Sequence, residues 1–316
     1  MKILEVKNLN VGFDLSDGFC QAVYDVNFDL EKGETLAIVG ESGCGKTVST
    51  MSVLSLLPET ARITGGEIIY NGENILKYSN KQMQKIRGKK IALIPQDPMT
   101  SLNPLYTIGN QLLEIIELHQ GLRGKEAFDV AVKALERVKI PDAQEKMKSY
   151  PHEFSGGMKQ RVIIAMALAC NAEIIIADEP TTALDVTVQA QIMDILKEIK
   201  EKYGISVILI THDLGIVSQN ADKVAVMYAG RIVETAPVQE LFNNPKHPYS
   251  KALLNVVLDI NSTEVQTIEG QPPSITDKIS GCAFHPRCRE CMEICQKELP
   301  PITGEDFHKV QCWLYK

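Results

Sequence analysis

The feature that most constrains this chain is the stretch Gly40-Glu41-Ser42-Gly43-Cys44-Gly45-Lys46-Thr47. It follows a short apolar run, Thr35–Val39, and leads into a segment with helical periodicity, Thr47–Leu57, that stops at Pro58. Glycines in a strand-to-helix turn let backbone N–H groups converge on an anion, and the helix N-terminus adds positive partial charge. The spacing G-x-x-x-x-G-K-[ST] is present in full, which is the pattern of a loop that cradles phosphate. Lys46 is then placed to reach β- and γ-phosphates, and the Thr47 hydroxyl to ligate Mg2+. This motif predicts nucleotide binding on a strand–loop–helix unit. It specifies neither the nucleotide nor the work done with it.

The flanking pattern predicts the architecture around that loop. Residues 3–13 alternate apolar and polar with some slippage and read as an edge strand, and Ala22–Leu30 alternates again. Asn71-Gly72 after Glu67–Tyr70 is a hairpin-turn signal. Lys90–Ile94 reads as a strand followed by Pro95-Gln96-Asp97-Pro98, and Thr107–Met147 as a helical insert broken at Gly121, Gly124 and Pro141. Helices are expected at about 157–170 and 187–203, strands at 174–177, 205–210 and 224–228, and a turn at Ala229-Gly230. Strands alternating with helices favour a parallel sheet. The buried run Ile174–Ala177 ends in Asp178-Glu179, which puts two carboxylates at the carboxyl edge of that sheet. Asp178 is suited to hold Mg2+ through water, and Glu179, pointing elsewhere, to act as general base toward an attacking water. Ser155-Gly156-Gly157 at the start of a predicted helix forms a second anion-binding N-terminus.

With 316 residues and a formal net charge of −7, the chain lacks the positive field of a duplex-DNA binder. No apolar run approaches the ~18 residues that span a bilayer. The first residues show no signal-peptide core, so the expectation is a cytosolic chain whose membrane role, if any, runs through partner subunits. Eight cysteines are unevenly placed: Cys282, Cys288, Cys291, Cys295 and Cys312 crowd the last 35 residues. In a cytosolic protein that crowding points to metal before disulfides. The spacing suits a tetrahedral ion or an iron–sulfur cluster, although a zinc ribbon fits poorly without two C-x-x-C knuckles. Composition shifts to proline clusters near residue 236, which divides the chain into a main domain, 1–235, and an appended module, 236–316.

Phe154-Ser155-Gly156-Gly157-Met158-Lys159-Gln160-Arg161 resembles the L-S-G-G-Q signature of ABC-type ATPases, with Phe for Leu and Met158 for Gln. The resemblance implies an α/β fold: a P-loop ATPase core with a mainly parallel sheet, an N-terminal antiparallel β-subdomain, a helical subdomain at about 98–157 and a small irregular cysteine-rich C-terminal module. It also implies roles. Gln96 corresponds to the Q-loop glutamine that touches Mg2+ or the water, Asp185 in Ala183-Leu184-Asp185 to the D-loop, and His212 to the switch histidine at the γ-phosphate. Phe13 corresponds to the aromatic that stacks on adenine, with Tyr24 as a substitute. Two such subunits are expected to pair head to tail, so that Ser155, Gly156 and Gly157 act on ATP bound by the partner.

Asn244–Leu254, with its His247-Pro248-Tyr249 core, resembles the segment typical of oligopeptide and dipeptide importer ATPases. That resemblance implies ATP-dependent peptide import from the cytoplasmic face of the membrane. The expected partners are two permease subunits, a second ATPase subunit (paralogue or identical) and, indirectly, an extracytoplasmic peptide-binding protein, with no nucleic acid. A related nickel or sugar importer, or a non-transport ABC ATPase acting on DNA or ribosomes, is the alternative. The same resemblance implies a [4Fe–4S] cluster on Cys282, Cys288, Cys295 and Cys312, with Cys291 as alternative ligand and Zn2+ as the second reading.

Overall fold

The strand that feeds the glycine loop, Thr35–Val39, is buried along its whole length, as expected of a central strand covered on both faces. The computed structural model describes all residues except Asp17, Ala183, 259–267 and Lys278. It forms two compact units, Met1–Lys77 with Ile210–Lys316, and Tyr78–Leu209. In chain order the first unit begins with β1 (Lys2–Leu15), β2 (Gly18–Glu31), β3 (Thr35–Val39), α1 (Lys46–Val53), β4 (Ala61–Tyr70) and β5 (Glu73–Asn74). The second unit carries α2 (Asn80–Met83), β6 (Ile91–Ile94), α3 (Pro98–Ser101), α4 (Ile108–Gln120), α5 (Gly124–Arg137) and α6 (Ala143–Lys146). It continues with α7 (Gly156–Ala169), β7 (Ile174–Asp178), α8 (Val186–Tyr203) and β8 (Ser206–Thr211), whose last two residues fall in the first unit. The chain then adds α9 (Leu214–Asn220), β9 (Lys223–Tyr228), β10 (Arg231–Pro237), α10 (Val238–Asn243), α11 (Pro248–Leu258), α12 (Glu293–Lys297), β11 (Ile302–Glu305) and β12 (His308–Gln311) to the first unit.

In the first unit an antiparallel sheet runs β2-β1-β4-β5. The predicted edge strand at 3–13 is therefore interior: β1 pairs with both β2 and β4. The slippage in its alternation has a physical cause, since the pairing register shifts between Val6 and Leu9 and again between Leu9 and Val11. Such irregularities break the period-2 pattern. A second set of strands in this unit runs β11-β12-β10-β9-β3, with β3 parallel to β9 and the outer strands antiparallel. The expected turn at Ala229-Gly230 joins β9 to β10 with positive φ at both residues, 45° and 79°, the two-residue geometry that matches strand twist.

The tail is more regular than its composition suggests. Its hairpin β11–β12 extends the sheet through β10, so the expectation of a small irregular module is corrected. It also shares a core with β3, β9 and α9, in which Tyr228, Tyr249 and Phe284 pack with Val39, Val217 and Val226. Tyr228 lies 4.6 Å from Tyr249 and 5.1 Å from Phe284 between ring centroids, spacings at which each pair adds about 0.5–1.5 kcal/mol beyond burial.

In the second unit the strand order is β8-β7-β6, with β6 parallel to β7. The predicted helical insert resolves into α4, α5 and α6. Thr107 caps α4 by accepting the Asn110 N–H at 3.2 Å, and Gly121 ends it in the left-handed conformation. Helices α4 and α5 pack with α7, and α6 with α5; Val162, Ile164, Ala165 and Leu168 of α7 are buried. Among the described residues no helix is long and apolar enough to cross a membrane.

Candidate active site

In the first unit the chain leaves β3 through Gly40, whose φ is 153°. A side chain there would drive its Cβ to 2.1 Å from the Met227 carbonyl oxygen, so only glycine lets the loop hug β9. Farther along, the Gly230 N–H donates to the Cys44 carbonyl at 2.9 Å, tying the loop to the β9–β10 turn. Lys46 is buried, and its Nζ donates to the Gly40 carbonyl at 2.7 Å and the Glu41 carbonyl at 3.0 Å. The ammonium is thus held on the loop's own backbone. Burial pushes the neighbouring Cys44 thiol up. Thr47 follows at the start of α1. His212 is exposed just past β8, where Asp213 caps α9 by accepting the Gly215 and Ile216 N–H groups.

A cavity in this unit is lined by Gly43, Tyr24, Phe19, Gly230 and the tail segment Pro273–Thr276. Tyr24 carries the Arg231 guanidinium over its ring at 4.7 Å. Phe13 is half-buried in β1 opposite Cys20, and among the described residues it does not line this cavity.

In the second unit, register alone brings two predicted residues together. Ile94 pairs with Ala177 across the parallel β6–β7 ladder. Gln96 and Glu179 each lie two residues beyond that pair, and Gln96 Nε2 donates to Glu179 Oε2 at 3.0 Å. Thr182 Oγ1 donates to the same oxygen at 2.8 Å. Glu179, directly after buried Asp178, adopts φ 44°, an uncommon conformation for a non-glycine residue. Ser155 caps α7, its Oγ accepting the Met158 N–H at 3.3 Å. Gly156 opens that helix, and at Gly157 a Cβ would meet Val188 Cγ1 at 2.5 Å, so glycine permits α7 to lie against α8. Asp185 caps α8 by accepting the Val188 N–H at 3.0 Å, while Ala183 lies outside the described residues.

Cys282, Cys288, Cys295 and Cys312 line one small cavity together with Phe284, Pro300, Trp313 and Leu314. Cys291 is exposed and outside that lining. Burial pushes the Cys282 and Cys288 thiols up to about 11, and neighbouring cysteines add to both shifts. Among the described residues no three His, Cys, Asp or Glu side chains converge as a ready-made site for a metal ion.

Sequence reasoning recognised the His-Pro-Tyr segment without a reason for its residues. Buried Glu234 of β10 accepts the N–H groups of Lys246 and His247, each at 2.8 Å, and the His308 Nε2 hydrogen at 2.8 Å. His247 Nδ1 accepts the Tyr249 N–H at 3.0 Å, Pro248 opens α11, and the Tyr249 hydroxyl accepts the Glu41 N–H at 2.9 Å. Burial, helped by Lys251, drives the His247 pKa down to about 3. Unfolded, the ring titrates near 6.5, so between those values the unfolded chain binds the extra proton and stability falls as pH falls. The loss is about 2 kcal/mol between pH 6.5 and pH 5. Urea melts over that range should show it, and His247→Asn should flatten the dependence.

Residues 23–182 match the family model of the ABC transporter, and residues 233–295 that of the oligopeptide/dipeptide transporter, C-terminal region. The solved ATP-binding cassette MJ0796, a dimer in a post-hydrolysis state bound to ADP and Pi, is 28% identical with a TM-score of 0.67, covering 74% of this chain and 98% of that one. This chain belongs to the ABC transporter family. Within it, the chain is 50% identical to the dipeptide transport ATP-binding protein DppD of Bacillus subtilis, over 99% of its length and 95% of that protein. It is 51% identical to the oligopeptide transport ATP-binding protein OppD of Salmonella typhimurium, over 96% of its length and 90% of that protein.

Proposed function

We propose that this chain is the ATP-hydrolysing subunit that powers import of dipeptides or oligopeptides. The observation that carries this reading is near-full-length identity to peptide-transport ATP-binding proteins in a chain that keeps the whole phosphate loop and the Asp178-Glu179 pair. The reading divides the chain into an ATPase domain, 1–235, with a helical subdomain at about 98–157, and an extension, 236–316.

Lys46 and the backbone N–H groups of Gly43–Thr47 hold the phosphates of ATP. Thr47, Asp178 and Gln96 would hold Mg2+, which supplies charge neutralisation on the β- and γ-phosphates. Glu179, oriented by Gln96 and Thr182, takes a proton as the water oxygen attacks the γ-phosphorus and ADP leaves. His212 hydrogen-bonds the γ-phosphate, and Phe13 or Tyr24 faces adenine. In a head-to-tail pair, Ser155, Gly156 and Gly157 cap the partner's nucleotide, with Asp185 at the interface.

The subunit works at the cytoplasmic face with two permease subunits and a second ATPase subunit, served by an extracytoplasmic binding protein. Exposed Met99, Leu105 and Tyr106 after Gln96 support docking of short permease helices on the Pro98–Met147 segment. The test is ATP-driven uptake in vesicles carrying the chain with its permeases. Labelled peptides should accumulate; accumulation of nickel or sugar in their place would overturn the reading.

The [4Fe–4S] cluster that the resemblance implies would be held by Cys282, Cys288, Cys295 and Cys312, which line one cavity but, among the described residues, do not converge as a ready-made metal site. Soft thiolates suit iron–sulfur or zinc, and exposed Cys291 is the poorer candidate. Such a cluster would add binding energy to a segment with little apolar core of its own. Anaerobically purified protein should be brown, with broad absorption at the visible–ultraviolet boundary that Cys288→Ser removes. A colourless, zinc-loaded preparation would overturn the cluster.

A further inference from the structure

Two residues of the tail, Arg287 and Tyr249, hold Glu41 of the phosphate loop. Arg287, directly before Cys288, grips the Glu41 carboxylate in a two-pronged ion pair, Nη1 to Oε2 at 2.6 Å and Nη2 to Oε1 at 3.1 Å. The Arg287 side chain is only 4% exposed. Its Nε also donates to the Glu269 carbonyl at 3.0 Å, and its guanidinium lies 5.9 Å from the Tyr228 ring centroid. The second contact is the Glu41 N–H donated to the Tyr249 hydroxyl. Glu41 in turn gives its carbonyl to Lys46 Nζ at 3.0 Å. A chain of charge-assisted contacts therefore runs from the tail, through Glu41, to the ammonium that the phosphate loop depends on.

The arrangement has an electrostatic logic. A carboxylate inside a loop built for a polyanion works against it at low local dielectric. A bidentate guanidinium cancels that charge and holds its backbone in one place, which a flexible lysine does less well. Removing one partner of such a pair leaves the other charge unpaired.

We propose that Arg287, supported by Tyr249, is a positioning residue of the nucleotide site: it neutralises and anchors Glu41 so that the loop and Lys46 accept a triphosphate. This rests on the reading of the chain as an ATP-hydrolysing subunit. Sequence alone gives no sign of it, since Arg287 and Glu41 lie 246 residues apart.

The test is calorimetric binding of MgATP to the full-length chain, with steady-state turnover and thermal melting measured alongside. Arg287→Gln should weaken MgATP binding about tenfold, the loss expected for one charged hydrogen-bonding partner. KM should rise in step, and kcat at saturation should hold within about threefold. Arg287→Lys should recover part of the affinity. Adding Glu41→Gln to Arg287→Gln should also recover part, because it removes the unpaired carboxylate. Tyr249→Phe should weaken binding by a smaller factor with unchanged kcat. Wild-type affinity in Arg287→Gln would overturn the proposal. So would a fall in kcat matching the fall in melting temperature, or a double variant no better than the single one. Failure of the unmodified chain to bind MgATP is a separate result that overturns the ATPase reading itself and this inference with it.

Discussion

Glu179→Gln will bind MgATP with near-normal affinity and turn it over about 10²–10⁴-fold more slowly, the range set by loss of a positioned general base. The amide is isosteric, and Gln96 Nε2 and Thr182 Oγ1 can still donate to its carbonyl oxygen in the geometry they hold on Glu179 Oε2. What disappears is the ability to take the proton of the attacking water. The nucleotide should then persist on the protein and favour the paired state, seen as a shift to dimer mass by light scattering in MgATP. Hydrolysis at the unmodified rate would remove Glu179 from the role of base.

Lys46→Ala will weaken MgATP binding by about 10- to 100-fold, from hydrogen bonds to a charged group worth roughly 1.5–3 kcal/mol. Uptake in vesicles should stop at ordinary nucleotide concentrations. The effect has two sources. The ligand loses a cation, and the Gly40 and Glu41 carbonyls lose the donor that gathers them at 2.7 and 3.0 Å. Melting measured in the same variant separates them: a small change in melting with a large change in affinity assigns the loss to the phosphates. Unchanged MgATP affinity would refute the role given to Lys46.

The phosphate loop and the carboxylate pair were readable because each is a local pattern whose chemistry lies within a few residues. The Gln96–Glu179 contact is a longer-range fact, yet it follows from two short apolar strands ending at one level. Other features had no local signature. The order of strands around β1 depends on partners far along the chain, and the bulges near Asn8 blurred its alternation. Helix α9, at seven residues, is too short to show periodicity. Only Asp213 as a cap could have announced it. The β11–β12 hairpin turns through Asp306-Phe307 between strands of only four residues each, too short to show alternation, in a region where the cysteines dominate the reading. The hold of Arg287 on Glu41 was invisible for the simplest reason, since nothing near either residue hints at the other.

The ladder that joins β6 to β7 carries a lesson about tolerance to change. Because Ile94 and Ala177 stand side by side, the meeting of Gln96 with Glu179 depends on two linkers of equal length, Pro95 and Asp178. Lengthening the helical stretch between those strands would leave the meeting untouched. One residue inserted at Pro95 would slide the glutamine past its mate. The scaffold therefore tolerates reshaping of the helices that join these strands far better than any change in the length of the two strand exits.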